Sequence, residues 1–566
     1  MKHLKILLLM LACVVGMGSV QVQPSKQQWV KSTMKSMSLR QQIAQLFVVA
    51  CHPQQGEAYL DKLMETIAQE QVGGIIWGYC TPTDNINLLN RMQAQVRIPL
   101  LVTIDAEWGV SMRLDSVIRF PYQLALGAIQ DNSLIYDFGV EVARQCHEIG
   151  VHFNFAPVVD VNSNPRNPVI NMRSFGENKY KVTEKAYAYM KGMQDGGILT
   201  TLKHFPGHGD TDKDSHEELP VISHSKERLN DVELYPFREL IKRGATGVMT
   251  AHLLVPALSS EDAPSSQSKE IVTDLLQKKM KFKGFVVTDG MEMRAASHGR
   301  DTSKVALYSL MAGNDILEIP VNLTKSIDEI EKAVKSGLIS KKYIQKKCEK
   351  ILKAKYDLGL HQGFTPVNPS GILSKLNTAP AQLLRNKLSE ASLTLLSNKD
   401  VLPLLSQNTE YIEIGQGQGD AFAELLAANG VKKAFTINVN DSKERLDSLS
   451  AHLGTGTIVL GCHSVPRGRA AFDFGLGTAM LDFIDRIAQE RKVVLVFFGN
   501  PYALDNFKDL ERFSAIVLAY DNSDESQVAS ANALLGQQGF LGRLPVTINE
   551  KYKEDFGIML EPLPKP

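Results

Sequence analysis

The sequence predicts an α/β protein: an N-terminal (β/α)8 TIM-type barrel followed by a smaller α/β sandwich domain. Three observations carry this expectation. Between about residues 43 and 320, eight short apolar, β-branched runs alternate with longer segments of helical pattern. A Gly- and Pro-rich stretch, HQGFTPVNPSG, interrupts the pattern after residue 360. Beyond it a second alternation of apolar runs and helical segments begins.

The chain starts MKHLKILLLMLACVVGMGSVQVQPS. A basic start, an apolar run from Ile6 to about Val15, and small residues at Gly16, Gly18 and Ser19 read as an export signal over residues 1–22. The run is too short for a stop-transfer helix. The expected location is periplasmic or at the cell surface. Cys13, after Leu11 and Ala12, offers a lipid-attachment point, although Met10 fits that pattern poorly. No later stretch is apolar enough to read as a transmembrane span.

The barrel is expected over residues 26–360, on the runs IAQLFVVAC, GGIIWG, PLLVTID, VHFNFAPVVDV, ILTTLKHF, TGVMTAH, GFVVTDG and NDILEIP. In such a barrel function gathers where the strands end. Asp105, Asp160, Lys203, His204, His252, Asp289 and Glu318 close these runs and are expected to converge on one mouth; each alone can instead cap a helix or bind backbone. Residues 361–380 read as a linker. The second domain, 381–566, is expected on YIEIG, TIVLGC, KVVLVFFGN and SAIVLAY. Its GQGQGD lacks GxGxxG spacing and reads as a strand-to-helix turn rather than a dinucleotide site.

Composition excludes some functions. Lys+Arg and Asp+Glu balance at 62 each, so no net field recommends nucleic acid or an anionic membrane, and a small or neutral ligand is the better expectation. Cys51, Cys80, Cys146, Cys348 and Cys462 are scattered without CxxC spacing, and read as buried thiols.

Chemistry concentrates in residues 203–216, KHFPGHGDTDKDSH. His204 and His208 have helical metal-ligand spacing, but Pro206 and Gly207 between them oppose a regular helix. Asp210, Asp212 and Asp214 resemble the start of a calcium loop, yet Ser215 stands where that loop needs Gly and Val221 where it needs Glu. No metal or other cofactor is expected. An acid–base role asks less of the geometry: Asp214, two residues before His216, can accept a hydrogen bond from one ring nitrogen and leave the other for proton transfer. A solvated polar loop accounts for the same residues. Asp289 follows an uninterrupted apolar run, so it belongs at a strand end, where a carboxylate suits attack on an anomeric carbon. A structural Asp bonding backbone amides is the alternative.

Together KHFPGHGDTDKDSH, VTIDAEWGVSMR, NMRSFG, NFAPVVDV and VVTDGMEM resemble glycoside hydrolase family 3, in its β-N-acetylglucosaminidase (β-N-acetylhexosaminidase) branch. LTLLSNKDVLPL and GRLPVTIN extend the resemblance into the second domain. It implies a retaining exo-glycosidase that removes terminal β-linked N-acetylglucosamine from peptidoglycan fragments, chitin-type oligomers or glycans through a covalent glycosyl-Asp intermediate. It further implies Asp289 as nucleophile, His216 as general acid/base partnered by Asp214, and Asp105, Arg113, Arg173, Lys203 and His204 as binders of the nonreducing sugar. One departure touches the leaving-group side: Trp108, Gly109 and Val110 stand where this branch often has a glycine pair followed by Arg. Trp108 can stack on a sugar or belong to the core. A phosphorylase or β-glucosidase of the same family, and a noncatalytic carbohydrate-binding protein, are the other readings.

Overall fold

The computed structural model describes residues 24–215, 217–405, 408–415, 417–463 and 474–564. The expected export signal, Cys13 and His216 lie outside the described residues.

Eight parallel strands form the first sheet: β1 (Phe47–Cys51), β2 (Gly74–Trp77), β3 (Leu101–Ile104), β4 (Phe153–Asn154), β5 (Leu199–Phe205), β6 (Gly247–Thr250), β7 (Phe285–Thr288) and β8 (Leu317–Glu318). Each pairs with its sequence neighbour, β8 also pairs with β1, and a bridge between Val287 and Ile316 closes the ring. Apart from Leu199 every residue of these strands is buried, which is why they read as continuous apolar runs rather than alternating ones.

Two runs differ from their sequence appearance. The first two residues of IAQLFVVAC, Ile43 and Ala44, belong to the helix Leu39–Ala44, because Ser38 and Gln41 form a reciprocal capping box that starts a helix there. In VHFNFAPVVDV only Phe153 and Asn154 pair as strand. Pro157 has no amide proton to give, and the chain rejoins the sheet at the bridge between Val158 and Lys203.

The helices Asn132–Glu148 and Lys179–Asp195 pack closely through glycines. A Cβ on Gly192 would lie 2.2 Å from the Tyr136 carbonyl oxygen, and one on Gly139 2.5 Å from that of Tyr189. This approach places Tyr189 against the barrel. Its hydroxyl donates to the Ala106 carbonyl at 2.6 Å and accepts from Asn154 Nδ2 at 3.1 Å.

The second sheet has six strands: β9 (Thr394–Asn398), β10 (Thr409–Ile414), β11 (Lys432–Ile437), β12 (Thr457–Cys462), β13 (Val493–Phe497) and β14 (Ala515–Leu518). Their order is β11-β10-β12-β13-β14-β9, parallel except for β9. Both faces are covered: Ile458 and Leu460 enter one apolar cluster and Val459 the other. In the GQGQGD turn the Glu413 carboxylate accepts from the Gln418 and Gly419 amides, at 3.1 and 3.3 Å, so those donors are satisfied internally. The cluster containing Ile458 also takes in Trp108, Tyr122, Leu124 and Met172, so the second sheet's unit shares a core with the barrel's loops. Between the two sheets the chain packs on the barrel, where Val367 exchanges hydrogen bonds with the Asn90 side chain at 2.9 and 3.0 Å. Cys51, Cys80, Cys146, Cys348 and Cys462 are buried free thiols.

Candidate active site

The segment after β3 carries Asp105 and Glu107. It is pinned from both sides, by Asn154 Oδ1 accepting from the Ala106 amide at 2.9 Å and by the Tyr189 hydroxyl. From β5, Lys203 Nζ reaches Asp105 Oδ1 and Glu107 Oε1, both at 2.8 Å. Arg113, following the 3-10 turn Val110–Met112, donates to Asp105 Oδ2 at 2.6 Å. Arg173, on the turn Asn171–Arg173, forks onto Glu107 at 2.9 and 2.7 Å. That bidentate geometry orients the guanidinium as well as binding it.

His204 completes the row. Its Nδ1 lies 2.7 Å from Asp160 Oδ2 and its Nε2 3.3 Å from the same Arg173. Nδ1–H donates to Asp160, which fixes the orientation of the ring beside the guanidinium. His208 also serves Asp160: its amide donates to Asp160 Oδ1 at 2.7 Å, and burial pushes its imidazole pKa down to about 4. The two histidines thus flank a carboxylate rather than a common centre.

Burial opposes ionisation of Asp105, but Lys203 and Arg113 overcome it and hold this carboxyl well below the usual range. Burial likewise opposes ionisation of Glu107, and Arg173 with Lys203 bring it to about 2. Asp289, directly after β7, accepts from the Gly290 amide at 2.9 Å. The Gly290 carbonyl lies 3.1 Å from His252 Nε2, whose other nitrogen sits 2.8 Å from Ser266 Oγ. Burial raises the Asp289 pKa; His204, His252, the Gly290 amide and Lys203 more than offset this, so it titrates below the ordinary aspartate value. A nucleophile needs that ionised form at neutral pH.

Glu318, last in β8, goes the other way. Burial and the nearby carboxylates of Asp105, Asp289 and Glu292 push its pKa well above the ordinary glutamate value, and Oε2 has no hydrogen-bond partner among the described residues. A carboxyl raised on folding costs stability as pH climbs above the unfolded value of about 4.3, because the unfolded chain then sheds a proton that the folded one keeps. Glu318→Gln removes this cost. Thermal melts should show a Tm gain larger at pH 7 than at pH 5; a gain independent of pH would contradict a neutral Glu318.

Asp105, Arg113, Arg173, Lys203, His204 and Asp289 therefore line one cavity of about 280 Å³, at the small end for a ligand pocket. Trp108 lines it too while packing edge-on against Tyr122 at 4.8 Å, so it is both wall and core. Asp214 is partly buried and outside the lining; its carbonyl accepts from the Glu217 and Glu218 amides at 3.0 Å. The other loop aspartates diverge, Asp210 to His224 and Asp212 to Asn164, each at 2.6 Å. Glu107 was missing from the sequence-derived residues. Its signal was there, an acid two positions after Asp105 beyond the same strand end.

The model of the glycosyl hydrolase family 3 N-terminal domain matches residues 38–354, more than half of the chain. The protein belongs to glycosyl hydrolase family 3 and is a glycoside hydrolase. It is 28% identical over 550 residues to beta-hexosaminidase A of Pseudoalteromonas piscicida, covering 86% of this chain and 91% of that one. It is 33% identical over 320 residues to the beta-hexosaminidase LpqI of Mycobacterium tuberculosis, covering 53% of this chain and 78% of the relative. Among solved structures, a family 3 beta-N-acetylglucosaminidase from Paenibacillus superposes with a TM-score of 0.77 at 29% identity, covering 91% of this chain and 99% of that one.

Proposed function

We propose that the protein is an exported, retaining β-N-acetylhexosaminidase that releases terminal β-linked N-acetylglucosamine, with Asp289 as nucleophile and His216, partnered by Asp214, as acid/base. The observation that carries the reading is an ionised Asp289 in a small pocket with fixed donors and acceptors on Asp105, Arg113, Lys203, Arg173 and His204. Such a row binds a polyol by charge-assisted hydrogen bonds in a fixed orientation. The small volume suits a single terminal sugar and hence exo action, whether the rest is a peptidoglycan fragment, a chitin-type oligomer or a glycan.

In the first step Asp289 Oδ forms a bond to the anomeric carbon as the bond to the departing oxygen breaks, and His216 gives that oxygen its proton. In the second, His216 takes a proton from water, whose oxygen displaces Asp289. Asp289 stays ionised in the pocket, and its negative charge favours an oxocarbenium-like transition state. The names of the relatives support the N-acetyl sugar. The reading of residues 1–22 supports export, with cleavage before Cys13 and lipid attachment there as the alternative to removal of the whole segment, and among the described residues no helix is long and apolar enough to cross a membrane.

Initial rates on paired aryl β-glycosides test the substrate: the N-acetylglucosaminide should be strongly preferred over the glucoside, and free sugar rather than sugar 1-phosphate should be released. Preference for the glucoside would overturn the reading. His216→Ala should cost about a hundredfold or more with an alkoxide leaving group, and much less with an activated phenolate that needs no proton. Equal losses on both would remove His216 from the acid role. kcat/KM should fall on the alkaline side as the imidazolium is lost, while the acid limb of Asp289 lies below the ordinary aspartate pKa.

A further inference from the structure

The loop joining β4 to the helix Lys179–Asp195 presents Arg173 to the pocket with its inner side, and its buried Asp160 holds His204 there. Its outer side is held by the second sheet's unit at three places. Asn162 Nδ2 donates to the Tyr502 hydroxyl at 3.1 Å. Asn500 Nδ2 donates to Asn171 Oδ1 at 2.6 Å. The Glu177 amide donates to the Pro545 carbonyl at 3.1 Å, and its carboxylate accepts from Thr547 N and Oγ1 at 2.9 and 2.6 Å.

The middle contact differs from the others in where it acts. Asn171 opens the turn Asn171–Arg173 and has a φ of +33°, a conformation that few non-glycine residues adopt without local support. Both amides are buried. The Asn500 side-chain oxygen is taken by the Tyr502 amide at 3.1 Å, capping the 3-10 helix Pro501–Asn506, so its NH2 group has one direction left. That direction is Asn171. Two residues on, Arg173 makes its fork onto Glu107 and its contact with His204.

We propose that Asn500 is a positioning residue for the sugar site, acting through Asn171 to hold the turn that aims Arg173 into the pocket. The second domain thereby completes the active site instead of only stabilising the barrel. The proposal rests on Arg173 being a sugar-binding residue. A group that binds the sugar equally before and in the transition state governs KM more than kcat.

The test uses the full chain and an aryl N-acetylglucosaminide, with Asn500→Ala, Asn171→Gly and the double variant; Gly keeps the positive φ while deleting the acceptor. Arg173→Ala is the reference. Asn500→Ala should raise KM about tenfold with kcat changed less than about threefold, roughly the loss of one hydrogen-bonded constraint. Asn171→Gly should do the same, and the double variant should be no worse than the poorer single, since both delete one contact. A lowered Tm with wild-type KM, or single effects that multiply in the double, would make the contact structural only and overturn the proposal. If Asn500→Ala does not fold, wild-type KM in Asn171→Gly overturns it equally. A wild-type KM in Arg173→Ala would instead strike the assignment of Arg173, and the proposal with it.

Discussion

Asp289→Ala should lower kcat/KM by about ten-thousandfold or more on every aryl glycoside, roughly 5.5 kcal/mol of transition-state stabilisation, while the protein stays folded. The effect should not depend on the leaving group, because in the proposed mechanism the variant lacks the atom that bonds to the anomeric carbon. Binding should survive. The row from Arg113 through Asp105, Lys203, Glu107 and Arg173 to His204 closes without Asp289, whose carboxylate accepts from the Gly290 amide and whose own amide donates to the Thr250 carbonyl. Steady-state rates and calorimetric titration with N-acetylglucosamine check this: turnover lost with sugar affinity within a few-fold of wild type. Turnover near wild type would remove Asp289 from the chemistry.

Glu107→Ala should be the most destabilising single change in the pocket, by about 3–5 kcal/mol, since it strips a buried carboxylate from both Lys203 and Arg173. Asp105 still balances Lys203, but Arg173 loses both arms of its fork. Denaturant unfolding measures the loss, and KM should rise as well because Arg173 is no longer aimed. Glu107→Gln separates charge from shape. In the wild type the Glu107 carboxyl is lowered from its ordinary value to about 2, so its contribution to stability is complete above the unfolded value and is lost as pH falls from about 4.3 towards 2. The Gln variant should lack that part of the acid dependence. Identical acid unfolding profiles for both proteins would mean that Glu107 is not held ionised by its neighbours.

How much of this was legible depends on where each residue sits. The barrel strands were readable because they are buried on both faces, which leaves uninterrupted apolar runs bounded by turns. Asp105, Lys203, His204 and Asp289 were readable for the same reason, as polar residues closing such runs. Arg113 follows one short 3-10 turn and Arg173 ends another, neither with a periodic pattern, and only the family resemblance pointed to them. Glu107 sits beyond the strand end and was passed over, although its charge partners make it the hub of the site. β11 was hidden by its composition: it is an edge strand, its first two residues are exposed lysines, and its register shifts against β10. The Asn500–Asn171 contact spans 329 positions and joins two loops, so no local pattern announces it.

The proposed mechanism turns on a covalent sugar on Asp289, which peptide mapping of the protein trapped with a 5-fluoro-N-acetylglucosaminyl fluoride would detect. One N-acetylhexosaminyl group should appear on the peptide containing Asp289, with released product retaining the β configuration. A label on another residue, or turnover with inverted product and no label, would contradict it.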